Sequence, residues 1–513
     1  MSDESVHVAM FPSAGMGHLT PFLRLATLFL NNNCKLTLII PFPTVTHAES
    51  QLLSHFHSSF PQINLIPFHL PPPPSPPISG DPMFLRVKTL RESTHLLPPL
   101  ITSLSPPLSI FISDIFLVTP LLSITQKLSI PNYTLFTSSA SMFSFVSNFP
   151  TLAHSKFDLS DEIHIPGIPF SPLPYSSMPP ILFQPTLFRD FIMEDSPNLT
   201  KLDGFFLNTF EALESHSLKA FSDGKVVKDM PPLYPVGPFL PLEVEGEASS
   251  PPLISWLNDQ AIGSVVYVCF GSRTALRRDQ MREIGFGLLR SGYNFLWVVK
   301  DKIVDKEDEE IGLEEVLGVE LVERMKEKGL VVKEWVDQTK ILSHKSVGGF
   351  VSHCGWNSIM EAALNGVPIL GWPQHSDQKI NAGLVEFSGW GVWNKSWGWG
   401  GECVVKGEEI GDAIKEIMDN ELLKVKAMEI KEGARKAISV GGDCEFIMLV
   451  LCNPSLLLKK KKFILLEDDE DEEEDHPSSF HRQTFQLSDS NCYGLQSIVL
   501  HLAGNLTGEV IAL

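Results

Sequence analysis

The chain has 513 residues, 43% hydrophobic and 20% charged, a composition that suits a globular protein of two or more domains. Its net charge of −21 argues against nucleic acid as a partner. Nine of the acids stand together at Glu467–Asp475, and without them the balance is only about −12.

The N-terminal stretch MSDESVHVAM carries acids where a secretory leader carries bases, and no apolar run reaches the length of a membrane span. The expected location is cytoplasmic, and the expected state is a monomer. Val6–Phe11 reads as a buried strand, Pro12–His18 as a turn with two glycines, and Leu19–Leu30 as a helix with Pro21 near its start, where proline is tolerated. Lys35–Pro41 is the next expected strand, and this β-turn-α-β opening suggests a doubly wound sheet. Gly15 and Gly17 have no third glycine at the offset of a dinucleotide fingerprint. The proline-rich run Leu70–Pro77 suits neither a sheet interior nor a helix interior. Ser109–Ile115 reads as a strand with Asp114 near its C-terminal end, and Asn132–Thr137 as another, leading into a helix that begins over Ser138–Ser141. Ile165–Pro185, with Phe170, Tyr175 and Phe183, suits either an irregular wall around an apolar ligand or a plain surface loop. Asp203–Asn208 is the expected last strand of the first domain, and Thr209–Glu214 starts a helix.

A second α/β series follows. Ser264–Phe270 is its first strand, Gly271-Ser272-Arg273 its turn, Asp279–Ser291 its helix and Asn294–Val299 its second strand. Asp301–Glu315 reads as an exposed charged loop and Gly329–Lys333 as a strand. The expected organisation is a first domain over 1–240, a linker over 241–252, a second domain over 253–445 and a low-complexity tail over 446–513, with a cleft between two similar α/β lobes.

The densest stretch is Trp335–Gln378. Val347–Val351 reads as a short buried strand, His353–Ser358 as a tight polar turn, and Ile359–Leu364 as a helix with Glu361 in its first turn. Gly366 stops that helix, and Val367–Leu370 is the next strand. A polar turn feeding a helix start after a strand binds anions through free N–H groups and the helix dipole. Trp372, His375, Asp377 and Gln378 follow at the end of the second strand, where α/β sheets place ligands. The seven cysteines form no CxxC pair, which favours reduced thiols over a metal site.

The block 335–378 resembles the signature box of the plant UDP-dependent glycosyltransferases of family 1. The match includes both ends, Trp335 and Gln378, and the interior His353-Cys354-Gly355-Trp356-Asn357-Ser358, Glu361, Gly366-Val367-Pro368 and Trp372-Pro373. Gly17-His18-Leu19-Thr20-Pro21 resembles the family's GHxxP. The wording FPSAGMGHLTPFLRLA and PFPTVTHAESQ is similar to the branch that C-glucosylates 2-hydroxyflavanones and acyl phloroglucinols, and Asp114-Ile115-Phe116 resembles the DIF tripeptide associated with C-transfer. The resemblance covers about residues 5–445 and implies the GT-B fold, two Rossmann-like domains with the acceptor in the first and the nucleotide sugar in the second.

The resemblance also implies roles. His18 is the expected base, since imidazole exchanges protons near neutral pH, and Asp114 either orients it or holds an acceptor hydroxyl. His353, Asn357 and Ser358 are expected at the diphosphate, Trp335 and Gln338 at the uracil, Glu361 at the ribose hydroxyls, and Trp372, Asp377 and Gln378 at the sugar. Ser272 and Thr137 are further candidates for diphosphate and sugar contact, and Trp356 is as readily a packing residue as a ligand contact. The donor implied is UDP-glucose, with no metal and no other cofactor, and the acceptor a flavonoid or phenol. The match ends near Gly441–Glu445, and FIMLVLCNPSLLLKKKKFILLEDDEDEEED beyond it shows no periodicity of the family's closing helix. Three readings follow: a C-glucosyltransferase, an O-glucosyltransferase with the same donor, and an inactive UDP-sugar-binding relic.

Overall fold

The computed structural model describes residues 5–44, 46–72, 81–158, 161–242, 251–271, 274–300, 312–334 and 336–452. The strands of the first half are β1 (His7–Phe11), β2 (Lys35–Phe42), β3 (Asn64–His69), β4 (Ile110–Asp114), β5 (Asn132–Phe136), the two-residue β6 (Glu162–Ile163) and β7 (Leu173–Pro174), β8 (Gly204–Leu207) and β9 (Leu233–Pro235). Those of the second half are β10 (Val265–Cys269), β11 (Asn294–Val298), β12 (Gly329–Val332), β13 (Val347–Ser352), β14 (Ile369–Gly371) and β15 (Gly391–Trp393).

Two sheets result, parallel throughout. The first runs β3-β2-β1-β4-β5-β8-β9 and the second β12-β11-β10-β13-β14-β15. Each starts in the order third, second, first, fourth, fifth, the doubly wound Rossmann arrangement. The central strands β1 and β4 are buried at every residue, as a sheet covered by helices on both faces requires. The strands β6 and β7 pair separately, antiparallel.

Several elements differ from the sequence reading. The strand β3 was not expected, because Pro67 lies within it; it forms at a sheet edge, where a missing N–H is tolerated. Likewise β8 is not the last strand of its sheet, since β9, which ends on Pro235, forms the other edge. The first helix runs Met16–Asn31 and so begins before Leu19. Gly15 adopts φ +93°, a conformation open to glycine, and its carbonyl accepts from the N–H groups of His18 and Leu19. His18 therefore sits in the first turn. In the second sheet the helix after β13 runs Trp356–Asn365, three residues earlier than expected, which moves Glu361 to its second turn. Gly366 ends it at φ +67°. The proline-rich run lies mostly in 73–80, the linker core in 243–250, most of the charged loop in 301–311 and most of the tail in 453–513, all outside the described residues.

The main correction concerns the end of the domain pair. No closing helix was expected after Glu445, yet Asp443–Leu451 is helical. Cys444, Ile447, Met448 and Leu451, spaced i, i+3, i+4, i+7, insert into the core of the first domain beside Val6, Leu36, Tyr234 and Val236. The Cys444 thiol reaches the Val236 carbonyl at 3.3 Å. The periodicity is masked because Phe446, Leu449 and Val450 are apolar too, and Leu449 is 57% exposed. Ahead of this helix, Glu421–Ile438 packs Ala427, Ile430, Ala434 and Ala437 with Phe210 and Leu213 of the first domain.

Ile447→Ala is expected to destabilise the fold by about 2–4 kcal/mol, as for a buried aliphatic truncated in a core. Leu449→Ala, on the exposed face of the same turn, is expected to shift stability by less than about 0.5 kcal/mol. Urea unfolding of both variants checks the docking; equal effects would contradict it.

Candidate active site

The neighbours β1 and β4 meet where the strand order of the first sheet reverses, the place where open α/β sheets bind ligands. The chain leaving β1 carries His18, and β4 ends on Asp114. The His18 imidazole donates from Nδ1 to Asp114 Oδ2 at 2.7 Å, and Thr137 Oγ1 lies 3.4 Å from the same nitrogen. The carboxylate assigns the hydrogen to Nδ1 and leaves Nε2 as an acceptor. Asp114 is fully buried, and its Oδ1 accepts from the Phe116 N–H at 3.1 Å. With no exposed surface and no place in the cleft lining, Asp114 has no reach to an acceptor hydroxyl, which favours the orienting role. The Phe116 ring lies 5.2 Å from the imidazole and itself lines the cleft.

The second sheet repeats the arrangement. Its order reverses between β10 and β13, and His353 follows β13 directly. The imidazole is wedged between Gly271 and Gly355, where an added Cβ would lie 2.7 and 2.4 Å from Nε2. Among the described residues, neither its Nδ1 nor Asn357 Oδ1 has a hydrogen-bond partner. Burial, and then the neighbouring His375, push the His353 pKa down to about 3, so this histidine is neutral at physiological pH. The first-turn N–H groups of Trp356, Asn357 and Ser358 precede the start of intrahelical bonding at Ile359. Helix start and neutral imidazole form a cradle for an acceptor-rich anion, and the Asn357 side chain, which lines the cleft, can add donors through its amide nitrogen.

Beside it, Gln338 donates from Nε2 to Ser358 Oγ at 2.9 Å and to Glu361 Oε2 at 2.8 Å. Glu361 Oε1 accepts from Arg24 Nη2 of the first domain at 2.7 Å. Asp377 accepts from Ser138 Oγ across the cleft and from Asn381 Nδ2 at 2.8 Å. Gln378 lines the cleft, and its Oε1 accepts from the N–H groups of Gln374 and His375 at 2.8 and 3.0 Å, which fixes the side chain there. Trp372 departs from its expected place. It does not line the cleft but packs among Phe270 and Trp397, because the first residue after β14 points into the core beneath the sheet. Trp356 lines the cleft, and its indole donates to the Asn208 carbonyl of the first domain at 2.9 Å, a packing contact between lobes. Trp335 and Ser272 lie outside the described residues.

The cleft has a volume of about 2020 Å³. A single drug-sized ligand occupies roughly 300–1,000 Å³, so there is room for two reactants side by side. Apolar walls from Phe84, Ile115, Phe116, Met142 and Phe188 surround His18 on the first-domain side. Of the loop 165–185, Pro180 and Ile181 reach the cleft, while Phe170, Tyr175 and Phe183 pack against the core. Sequence reasoning missed Arg24 and Ser138. For Arg24 the signal was available: an arginine in an otherwise apolar helix, seven residues after Gly17 and on the same face.

Residues 251–433 match the family described as UDP-glucoronosyl and UDP-glucosyl transferase. UDP-glycosyltransferase 708D1 of Glycine max is 53% identical over 463 residues, covering 86% of this chain and 96% of that protein. UDP-glycosyltransferase CGT of Oryza sativa subsp. indica is 41% identical over 443 residues, covering 85% and 93%. Among solved structures, LpCGTa in complex with UDP superposes with a TM-score of 0.76 at 41% identity, covering 86% of this chain and 98% of that one. Medicago truncatula UGT71G1 complexed with UDP-glucose gives 0.77 at 30% identity, covering 88% and 100%.

The depressed pKa of His353 has a consequence for stability. Between its ordinary value of 6.5 and about 3 the unfolded chain binds a proton that the folded chain does not, so stability falls as pH drops through that window and is unaffected above it. Unfolding measured at pH 7.5 and pH 5 is expected to show wild type losing about 1–2 kcal/mol more than His353→Gln. Equal losses would contradict the assignment.

Proposed function

The chain belongs to the plant UDP-glycosyltransferases of family 1, with their GT-B fold, and on that premise we propose that it transfers glucose from UDP-glucose, with inversion, to a ring carbon of a 2-hydroxyflavanone or phloretin-like phenol. The observation that carries the reading is the His18–Asp114 pair, 2.7 Å apart, facing the His353 cradle across a cleft wide enough for donor and acceptor. The similarity to relatives that include C-glycosyltransferases supports carbon as the attacking atom.

In this reading His18 Nε2 removes the proton of an acceptor hydroxyl, and Asp114 stabilises the imidazolium that forms. The negative charge spreads from oxygen to the ortho carbons of the ring. One of these attacks the anomeric carbon from the face opposite the diphosphate. The bond from that carbon to the diphosphate oxygen breaks, and UDP leaves with the electron pair. The ring then loses the proton from the new C–C position and recovers its hydroxyl. Developing charge on the leaving diphosphate meets His353, Asn357, Ser358 and the N–H groups at the helix start. Glu361 and Gln338 hold the nucleoside, and Asp377 and Gln378 the sugar. Phe116 and its apolar neighbours hold the acceptor ring so that carbon rather than oxygen faces the donor. The relic reading rested on the altered C-terminus; the helix Asp443–Leu451, docked on the first domain, supports an active enzyme over it.

His18→Ala is expected to lower kcat by roughly 100-fold or more while UDP affinity stays close to wild type, read by initial rates and calorimetry. A full-rate variant would refute the base assignment. Incubation with UDP-glucose and phloretin is expected to give a glucoside that survives acid treatment. Release of glucose on mild acid would identify O-transfer instead.

A further inference from the structure

Arg24 occupies an unusual position. Its helix, Met16–Asn31, buries Leu19, Phe22, Leu23, Leu25, Ala26 and Phe29, and turns Gly17, Thr20 and Arg24 to the cleft at i, i+3 and i+7. Arg24 is only 7% exposed. One nitrogen, Nη2, donates to Glu361 Oε1 at 2.7 Å, across the cleft and 337 residues away in sequence. Its Nε and Nη1 are buried and meet no acceptor among the described residues. A guanidinium has five N–H groups, and burying donors without partners is costly. Two such donors beside a cleft that holds a polar ligand point to acceptors brought by that ligand.

The chemistry of Glu361 identifies them. A carboxylate can only accept, so it satisfies the O–H protons of a vicinal diol and leaves the diol's oxygens without donors. Arg24, held against the same carboxylate, supplies N–H groups to those oxygens. Gln338, which donates to Glu361 Oε2, fixes the carboxylate from the other side. We propose that Arg24 is a donor-binding residue contributed by the first domain, forming with Glu361 a two-sided clamp on the ribose diol of the nucleotide sugar. This rests on the reading of the cleft as a UDP-sugar site. It makes ribose recognition a joint act of both domains, so that a bound nucleotide ties the lobes together where the ion pair already does.

The test is calorimetric binding of UDP and of 2′,3′-dideoxy-UDP to wild type and to Arg24→Gln. Wild type is expected to prefer UDP. The variant is expected to bind UDP about tenfold more weakly or worse, and its preference for UDP over the dideoxy compound should shrink. With the active enzyme, the KM for UDP-glucose should rise by a larger factor than kcat falls. An unchanged UDP affinity, or an equal loss for both nucleotides with the preference intact, would overturn the proposal and leave Arg24 a structural ion-pair partner. Should Arg24→Gln fail to fold, as judged by circular dichroism, Arg24→Lys takes its place. It keeps the charge beside Glu361 but not the planar fork, and the same loss of preference is expected. A wild-type protein that bound no UDP would refute the donor-site reading itself, a result distinct from any failure of Arg24.

Discussion

Asp114 has no contact with water, and a buried carboxylate persists only where donors meet it. Here the Phe116 N–H takes one oxygen and the His18 imidazole the other. That single arrangement fixes the tautomer of His18, its ring orientation and the direction in which Nε2 faces. It also explains why the two residues lie 96 positions apart in the chain yet act as one group. The turn after β1 and the end of β4 are adjacent because β1 and β4 are adjacent, and they diverge to opposite faces because the sheet order reverses there. The pair is thus a product of topology before it is a product of chemistry.

The second domain uses the same geometry for the opposite electrostatic task. The first presents an imidazole next to a carboxylate; the second presents donors next to a helix start. These are complementary demands, and they are met by two copies of one strand order turned face to face. What holds them in that relation is spread over several contacts. The Trp356 indole bonds to Asn208, Ser139 Oγ donates to Asn381 Oδ1 at 2.8 Å, and Lys379 Nζ and Trp399 Nε1 both donate to the Ser176 carbonyl at 3.0 Å. Burial and the Trp399 ring, 4.2 Å from its ammonium, surround Lys379, and burial lowers its pKa. Polar contacts of this kind fix relative orientation more than they supply stability; the apolar faces of Glu421–Ile438 and Asp443–Leu451 supply the burial.

Much of this was legible in the sequence, in graded fashion. Buried central strands such as β1, β4 and β13 announce themselves as short apolar runs closed by turn residues. His18, Asp114, His353 and Glu361 stand at the ends of those runs or one to two turns beyond, but it was the resemblance of GHxxP and of the block 335–378 that singled them out. Edge strands were harder, because Pro67 and Pro235 break the pattern that identifies interior ones. Helix starts were placed late by three residues at both turns, since capping by Gly15 and Gly355 leaves no side-chain oxygen to mark the boundary. Trp372 misled because a residue at a strand end can turn toward ligand or core, and only the presence of Phe270 and Trp397 decides. The helix Asp443–Leu451 was invisible for a different reason: a segment apolar on all sides has no stripe to detect. Arg24 stood out as a charge in an apolar-rich helix, but its partner, on the other domain, was not legible.

The docking of Asp443–Leu451 also bears on how the chain is made. Its four inward residues complete a core whose other members lie between Val6 and Phe239, apart from a few side chains packed at its margin. During synthesis the first domain emerges, sheet and helices in place, with one apolar groove still open. That groove stays uncovered while some two hundred further residues are translated, and domains generally fold in order as they leave the ribosome. Among the described residues, the last segment to join the first domain is therefore also a report that the second has been completed. A chain cut short anywhere in the second domain would carry the open groove permanently, and would offer chaperones or proteases a surface that the finished protein hides.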